Sequence, residues 1–330
     1  MADENYRLTA RHHSWPLSGV FAISRGAKTT AEVVIAEISD GQHVGRAECN
    51  PYPRYGESVE SVVAQLEGTA PKLVGIRDTR DVQSLLPPGA ARNALDCALW
   101  DLLSKRNGRR VFAQLGVDEP EPVTSAYTLS LDTPEAMGCA AKEHAGHPLL
   151  KLKLAGEGDL ERVAAVRENA PDARIIVDAN EGWVPDQVAP FSAALAEFGV
   201  YMIEQPLPAA DDAVLSEFEH PIPLCADESC HTTADLDHLE GRYEFVNIKL
   251  DKTGGLTEAM ALNAAARVRG FRVMVGCMLA SSLAMAPAVL VAQGAEVVDL
   301  DGPLWLAEDW DNALRYDGTV VHPSTPALWG

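Results

Sequence analysis

From residue 123 onward, short apolar runs alternate with longer stretches whose apolar residues recur at helical spacing. Runs such as RIIVD and VYMIE are nearly continuous in apolar residues, as strands covered on both faces require. Segments such as DLERVAAVREN and LTEAMALNAAARVRG have the period of amphipathic helices. The pattern predicts eight strands with helices between them, and therefore a parallel (β/α) barrel. We place the strands at 123–129, 149–154, 174–178, 200–204, 222–226, 244–250, 271–276 and 296–300.

The first part of the chain follows a different pattern. AEVVIAEIS (31–39) alternates apolar and polar residues and is followed by Gly41 and HVGRAEC, which predicts a β-hairpin or meander. Helices are predicted at 58–73 and 90–108, the second ending at Gly108 as a C-cap. Strands followed by helices indicate a small α+β domain. We therefore expect an α+β domain at 1–118, the barrel at 119–302, and a segment at 303–330 that returns to the first domain.

Composition and charge narrow the possible partners. The 330 residues are 47% hydrophobic, enough for a large core, and the net charge of −21 argues against a nucleic-acid surface. An anionic substrate would need locally placed cations on so acidic a chain. The sequence has no apolar run of membrane-spanning length and no secretory signal, so we expect a cytoplasmic protein without a membrane partner. The six cysteines form no CxxC pair and are expected to be reduced core residues.

Five charged residues stand at the ends of successive predicted strands: Lys153, Asp178, Glu204, Asp227 and Lys249. The steps between them are 25, 26, 23 and 22 residues, and one βα unit consumes about 24. Each strand would therefore deliver one charged side chain to the same end of the barrel, where active sites of this fold lie.

The types of these residues suggest a chemistry. Three carboxylates on adjacent strands form an oxygen cage suited to a hard divalent cation such as Mg²⁺. The lysines flank the carboxylates, so a closed barrel would present them to opposite faces of one substrate carbon. Taken singly, an acid at a strand end is more often a helix N-cap, and the KLK at 151–153 could be solvated at a frayed edge. Three acids in consecutive units, bracketed by lysines, favour the metal site.

Several motifs resemble the enolase superfamily, in its muconate-lactonising subgroup. They are KLK at 151–153, DAN at 178–180, EQP at 204–206, ADES at 226–229 and NIKLDKTGG at 247–255. ISRGAKT (23–29), ECNPYPRYGES (48–58) and DLDGP (299–303) make the chain most similar to the dipeptide epimerases, particularly those acting on L-Ala-D/L-Glu. The resemblance covers essentially the whole chain. It implies a (β/α)₇β TIM-like barrel with an N-terminal α+β capping domain.

The resemblance also implies roles for the five strand-end residues. Asp178, Glu204 and Asp227 match the metal ligands, with Mg²⁺ expected and Mn²⁺ compatible. Lys153 and Lys249 match two acid/base lysines, Lys153 serving the R epimer and Lys249 the S epimer. One lysine would remove the α-proton to give a metal-stabilised enediolate, and the other would return a proton to the opposite face. This is a two-base 1,1-proton transfer. A dehydratase or lactonising enzyme could use the same residues with one lysine as the base and the other only electrostatic, so the lysines alone leave that alternative open.

A second group is assigned to the substrate. The Asp299 and Asp301 pair is associated with the free α-ammonium of a dipeptide, although a turn with N-capping acids is the alternative for this motif. Lys151 matches a helper that contacts the substrate carboxylate. Arg25 matches a capping-loop arginine that contacts the side-chain carboxylate of glutamate, an ordinary exposed arginine being the alternative. Thr128 is also assigned to substrate binding.

Together these features predict a dipeptide epimerase that interconverts L-Ala-D-Glu and L-Ala-L-Glu and salvages murein peptides. A homo-oligomer is compatible with the sequence. Other dipeptides are the first alternative, because one arginine is a thin basis for glutamate specificity. An o-succinylbenzoate synthase or N-acylamino acid racemase would have no use for an acidic pair aimed at an ammonium. A barrel with only a binding role is the alternative from a different class, and it would have little reason to keep all five charged strand ends.

Overall fold

The computed structural model describes residues 6–330, which form three sheets and the helices packed on them. The strands are β1 (Arg7–Ile23), β2 (Gly26–Ser39), β3 (Val44–Cys49), β4 (Val123–Thr124), β5 (Tyr127–Leu129), β6 (Leu149–Lys153), β7 (Arg174–Asp178), β8 (Val200–Glu204), β9 (Leu224–Ala226), β10 (Phe245–Ile248), β11 (Arg272–Gly276), β12 (Val297–Asp299), β13 (Tyr316–Asp317) and β14 (Val320–Val321). The helices are α1 (Val59–Thr69), α2 (Thr79–Val82), α3 (Ala90–Asn107), α4 (Val111–Leu115), α5 (Pro134–Glu143), α6 (Asp159–Asn169), α7 (Pro185–Glu197), α8 (Leu236–Leu239), α9 (Leu250–Thr253), α10 (Leu256–Val268) and α11 (Ser282–Val291).

An antiparallel sheet, β1-β2-β3, begins the chain. Strands β1 and β2 form a long hairpin whose last pair is Ile23 and Gly26, so that Ser24 and Arg25 make the turn at its tip. The alternating segment at 31–39 is a strand, as predicted, but β1 is absent from the sequence-based prediction. Most residues of β1 are at least partly exposed, and the pairing register changes between Pro16 and Phe21, so the strand lacks a clear apolar alternation.

Helix α3 packs closely on this sheet. A Cβ at Gly45 would lie 2.1 Å from Ala98 O, so the absence of a side chain lets the helix approach β3. The helix ends at Gly108, which has φ +60° and is the C-cap that the sequence predicts. These contacts hold helix α3 in place, and side chains of α3 make several hydrogen bonds to the barrel.

The parallel eight-stranded sheet runs in chain order from β5 to β12. A hydrogen bond from Ala126 N to Val298 O, 2.7 Å long, joins its two ends and closes the barrel. The predicted fold class, a TIM-like barrel with an N-terminal α+β domain, is confirmed.

One predicted strand needs correction. The run 123–129 is two strands, because β4 pairs with β14 while only β5 joins the barrel. Ser125 and Ala126 lie between them, and Ser125 N donates to Thr319 O while Ala126 N donates to Val298 O. The continuous run of residues with strand propensity hides the point at which the chain changes sheet.

The C-terminal residues return to helix α3. Trp329 Nε1 donates to Cys97 O (3.0 Å) and Gly330 N donates to Asp101 Oδ1 (2.9 Å). The domain boundaries at 118 and 302 stay predictions. All six cysteines are free thiols, and Cys139, which is exposed, departs from the expected core location. None of the helices within residues 6–330 combines the length and apolar character needed to cross a membrane.

Candidate active site

The barrel interior is layered by the two-residue period of its strands. The lowest layer is apolar and is built from Ala126, Leu149, Ile176, Met202, Cys225, Phe245, Met274 and Val297. Two residues further along each strand, side chains point to the same interior. These positions are Thr128, Lys151, Asp178, Glu204, Asp227, Asn247, Gly276 and Asp299. One further step reaches Lys153, Lys249 and Asp301 at the barrel mouth. The predicted site residues other than Arg25 thus occupy the two upper layers.

Ion pairs connect the lysines to the carboxylates. Lys153 Nζ lies 2.7 Å from Asp178 Oδ2, and Lys249 Nζ lies 2.6 Å from Asp227 Oδ2. Lys151 Nζ bridges three acids, at 2.7 Å from Glu204 Oε2, 2.8 Å from Asp299 Oδ2 and 3.1 Å from Asp178 Oδ2. The structure therefore brings all five strand-end residues together, as the spacing predicts, with both charges interleaved.

Burial and charge act against each other at these groups. Burial opposes ionisation of Asp178, but attraction to the neighbouring lysines holds its pKa below the usual range. Burial and repulsion from Asp178 instead raise the pKa of Glu204. Burial would lower the pKa of Lys249, yet the charges of Asp227 and Glu204 raise it. In this arrangement the carboxylates keep Lys249 as an ammonium ion.

The donor set fits a hard divalent cation. Among residues 6–330, no group of three or more His, Cys, Asp or Glu side chains is arranged to hold a metal ion, and lysine ammonium groups pair with the carboxylates. Glu204 Oε2 and Asp227 Oδ1 are nevertheless buried and accept no hydrogen bond of normal geometry, although a lysine nitrogen lies 2.7 Å from each. Buried carboxylate oxygens with free acceptor capacity are the ligands that Mg²⁺ and Ca²⁺ take.

The acidic pair at the last barrel strand lies beside β5. Asp301 Oδ2 accepts a hydrogen bond from Thr128 N (2.7 Å), and Asp299 Oδ1 lies 3.5 Å from Thr128 Oγ1. Burial and the charge of Asp299 raise the pKa of Asp301 to about 7. Both carboxylates line the cavity above the barrel. A cationic group in that cavity would be attracted to them.

The β1-β2 hairpin tip closes over the barrel mouth. Arg25 Nη1 donates to Asn180 O (2.8 Å), and Arg25 Nη2 donates to Glu228 Oε1 (2.8 Å) and Tyr52 Oη (3.0 Å). Arg25 Nη1 also lies 3.3 Å from Glu181 Oε2. The arginine thus contacts the barrel loops after β7 and β9 rather than open space.

A cavity of about 320 Å³ lies between this hairpin, the loop at 50–55 and the barrel mouth. Its walls include residues from both upper layers of the barrel as well as the hairpin tip. This volume suits a small molecule of dipeptide size.

Two buried residues that contact the predicted metal ligands were not predicted from the sequence. Lys252 is 1% exposed, lies 2.7 Å from Asp227 Oδ1 and donates to the main-chain oxygens of Asp227 and Asn247. Asn247 Nδ2 donates to Glu204 Oε1 (2.7 Å). Two signals were available, the alternate spacing that aligns Asn247 with Lys249 and a lysine one helical turn after Lys249.

The chain matches two protein families and is similar to known proteins over most of its length. Residues 6–116 match the family described as mandelate racemase / muconate lactonizing enzyme, N-terminal domain, and residues 136–326 match the enolase C-terminal domain-like family. The L-Ala-D/L-Glu epimerase of Escherichia coli (strain K12) is 49% identical over 311 residues, covering 94% of this chain and 97% of the relative. An N-acetyl-D-glutamate racemase of Pseudoalteromonas sp is 45% identical over 300 residues, covering 90% and 95%.

A solved structure extends the similarity to three dimensions. It is an enolase family member from Agrobacterium tumefaciens with homology to dipeptide epimerases, with bound sodium and L-Ala-L-Glu and an ordered loop. It is 51% identical to this chain, with a TM-score of 0.97, and the match covers 98% of this chain and 100% of that one.

Proposed function

The chain belongs to the mandelate racemase / muconate lactonizing enzyme family of the enolase superfamily, and we propose that it is an isomerase that interconverts L-Ala-D-Glu and L-Ala-L-Glu. The observation that carries this proposal is the pair of lysines, Lys153 and Lys249, on opposite sides of a buried carboxylate set. Strands β6 and β10 lie four positions apart in an eight-stranded ring, which is half of its circuit. A carbon held between them would present one face to each lysine.

Each lysine has one task in this proposal. Lys249 takes the α-proton from the S epimer and Lys153 takes it from the R epimer, and in each direction the other lysine supplies the returning proton. Because the two side chains enter from opposite walls, the exchange inverts the stereocentre. Both lysines line the cavity and are at most 7% exposed, so bulk water competes little for the proton.

Asp178, Glu204 and Asp227 would hold the divalent metal ion, which we propose to be Mg²⁺, with Mn²⁺ also acceptable to this donor set. When bound, the ion supplies positive charge that stabilises negative charge developing on the substrate carboxylate. Related dipeptide epimerase structures from Cytophaga hutchinsonii and Enterococcus faecalis contain Mg and a dipeptide. Neutralising these carboxylates would also weaken the attraction that keeps Lys249 protonated.

The remaining site residues would orient the dipeptide. Asp299 and Asp301, which both lie beside Thr128 of β5, would accept hydrogen bonds from the α-ammonium. Lys151 would contact the α-carboxylate. The side-chain carboxylate would lie toward the basic hairpin tip, where the sequence predicts Arg25. Dipeptides with other side chains remain the nearest alternative substrates.

The similarity to an N-acetyl-D-glutamate racemase favours a second candidate, racemisation of N-acylated glutamate. Such a substrate has no ammonium group. Two carboxylates at the end of β12 would then face a neutral acyl group, which gives them no charge to bind. The acidic pair therefore favours the dipeptide.

Proton NMR in D₂O tests the proposal. The purified chain with Mg²⁺ is incubated separately with L-Ala-D-Glu, L-Ala-L-Glu, a hydrophobic L-Ala dipeptide and N-acetyl-D-glutamate. We expect loss of the glutamate α-proton signal and formation of the other diastereomer from both Glu dipeptides, and no exchange after EDTA treatment. Faster exchange of N-acetyl-D-glutamate would favour the second candidate. Absence of exchange with every substrate would refute the enzyme assignment.

The proposal extends to the cellular setting. A dipeptide containing D-Glu is a fragment of murein, so its epimerisation would serve peptide salvage in the cytoplasm. We also propose a homo-oligomer, with neither nucleic acid nor membrane as a partner.

A further inference from the structure

Three cations from the N-terminal domain line the cavity mouth, and they differ in their partners. Arg25 contacts Glu228 and Glu181, and Arg54 binds Glu181 through both of its carboxylate oxygens (2.6 and 2.7 Å). Lys28 also lines the cavity, but within residues 6–330 it makes neither an ion pair nor a hydrogen bond. Its ammonium nitrogen lies 5.5 Å from the centre of the Tyr52 ring.

Arg25 is committed to holding the hairpin on the barrel. Its partner Glu228 is buried, and Glu228 Oε2 accepts no hydrogen bond, so Arg25 supplies the charged contact to Oε1. Moving the guanidinium to a substrate would leave the buried Glu228 side chain without its hydrogen-bond donor, which is costly in a protein interior. Ser24 Oγ also donates to Asn180 O (3.0 Å), so two successive residues of the tip fasten it to the same loop.

Lys28, in contrast, is exposed at the cavity and has no carboxylate within ion-pair distance among residues 6–330. Desolvation lowers its pKa, and the charge of Glu32 offsets this only in part. Glu32 itself binds His12 and Ser14 on the outer part of the hairpin. Lys28 pairs across the hairpin with Phe21, which also lines the cavity, so an ammonium group and an apolar wall lie side by side. Methylene groups ending in a carboxylate match that combination.

We propose that Lys28, rather than Arg25, binds the side-chain carboxylate of the substrate's second residue, and that Arg25 positions the hairpin. This inference rests on the proposed dipeptide epimerase function and names the residue that would make an acidic dipeptide the preferred substrate. It revises the sequence-based assignment of Arg25. Lys28 is a specificity residue in this account and takes no part in proton transfer.

The test compares an acidic substrate with its neutral isostere, using kcat/KM for L-Ala-L-Glu and L-Ala-L-Gln. Lys28→Met is expected to lower the value for L-Ala-L-Glu by about 10- to 100-fold, the worth of one charge-assisted hydrogen bond, with little change for L-Ala-L-Gln. Lys28→Arg keeps the charge and should keep the preference for Glu. Lys28→Glu should reverse it, favouring L-Ala-L-Lys over L-Ala-L-Glu.

Two further variants separate recognition from structural effects. Arg25→Met should lower kcat/KM for both dipeptides alike, because it loosens the hairpin without removing the carboxylate's partner. Lys72→Met, an exposed lysine of the same domain that is absent from the cavity wall, is the matched control and should behave as wild type.

The outcomes are distinguishable. A Glu-to-Gln ratio unchanged by Lys28→Met, or lowered by Arg25→Met alone, would overturn the assignment of Lys28 while leaving the epimerase function intact. A wild-type protein that epimerises neither dipeptide would instead refute the proposed function, and this inference with it.

Discussion

Each of the two lysines at the barrel mouth is held by a carboxylate of a neighbouring strand. Lys153 contacts Asp178 at 2.7 Å, and Lys249 contacts Asp227 at 2.6 Å. These contacts fix the direction from which each amine enters the cavity. Because the entry directions differ, removal of one lysine should affect the two substrate epimers differently.

We predict opposite exchange patterns for Lys153→Met and Lys249→Met. Both should lower the rate of epimerisation by about 10²- to 10⁴-fold, the usual loss with a general acid or base. Lys153→Met should still exchange the α-proton of L-Ala-L-Glu with D₂O through Lys249, without inversion. Lys249→Met should exchange only L-Ala-D-Glu. NMR of each pure diastereomer measures this, and interconversion at the wild-type rate by either variant would contradict the two-base assignment.

Another lysine contacts the site from helix α9. Lys252 is buried and contacts Asp227 as well as the main chain at both ends of the β9–β10 crossing. We predict that Lys252→Met lowers the free energy of unfolding by about 3–5 kcal/mol, because a buried carboxylate loses one partner. Urea unfolding measures the loss. Lys142→Met, an exposed position on α5, is the control, and an equally small effect of both variants would contradict the prediction.

Among the barrel strands, β11 contributes no charged side chain to the interior layers and instead provides space. A Cβ at Gly276 would lie 2.7 Å from Asn247 Oδ1, 2.9 Å from Asn247 Nδ2 and 3.1 Å from Lys249 Cε. Glycine at this point of β11 therefore allows the neighbouring strand β10 to place two side chains in the site. Glycine is needed here because a side chain would not fit, and not because of the backbone conformation, since Gly276 does not have a positive φ.

Gly276→Ala should consequently impair catalysis more than folding. Displacement of Lys249 by a fraction of an ångström should lower kcat by about 10- to 100-fold, while overpacking costs about 1–3 kcal/mol of stability. Gly68→Ala is the control, because the exposed Gly68 in α1 has no atom within 4 Å of an added Cβ. The control should be fully active and about 0.5–1 kcal/mol more stable. Wild-type kcat in Gly276→Ala would show that Asn247 and Lys249 can move aside without consequence.

The elements also explain how far the sequence could predict the site. Buried parallel strands carry a strong apolar signal, and a charged residue where that signal stops marks the barrel mouth, so Asp178 and Glu204 were predictable. The division between β4 and β5 was not, because residues 123–129 read as one continuous strand, while β4 pairs with the distant β14 and β5 pairs with β6. Within residues 6–330, Glu181 and Glu228 pair with Arg25 and Arg54 and leave Lys28 without an ion-pair partner. No local sequence pattern encodes that choice of partners.

At the scale of the whole molecule, the N-terminal domain and the barrel share buried acidic groups. Glu48 of β3 accepts hydrogen bonds from Ser281 N (2.7 Å) and Ser281 Oγ (2.6 Å). Asp251 of α9 accepts from Asn50 N (3.1 Å) and Asn93 Nδ2 (2.8 Å). The pKa of each carboxyl group is raised, and burial is the main cause in both cases. The contact between the N-terminal domain and the barrel therefore depends on whether these two carboxyl groups are protonated.

The raised pKa of Asp251 determines whether stability rises or falls with pH. Burial raises its pKa to about 7 in the folded protein, against about 3.9 when unfolded. Between these values the folded state binds the proton and the unfolded state does not, so stability falls as pH rises from about 4 to 7 and levels off above. Asp96, which accepts from Thr257 N (3.0 Å) and whose pKa burial likewise raises to about 7, should add to the same slope.

Asp251→Asn should flatten this pH dependence. An amide oxygen can still accept the bonds from Asn50 and Asn93 but does not ionise. The variant should therefore match the Tm of wild type near pH 4 and exceed it increasingly as the pH rises to 7 and above. Thermal unfolding at several pH values between 4 and 8 measures the slope, with Asp118→Asn at an exposed loop as the control. Parallel curves for Asp251→Asn and wild type would show that Asp251 titrates alike in both states. A flattened curve would make this buried carboxyl one of the groups through which pH acts on the junction between the N-terminal domain and the barrel.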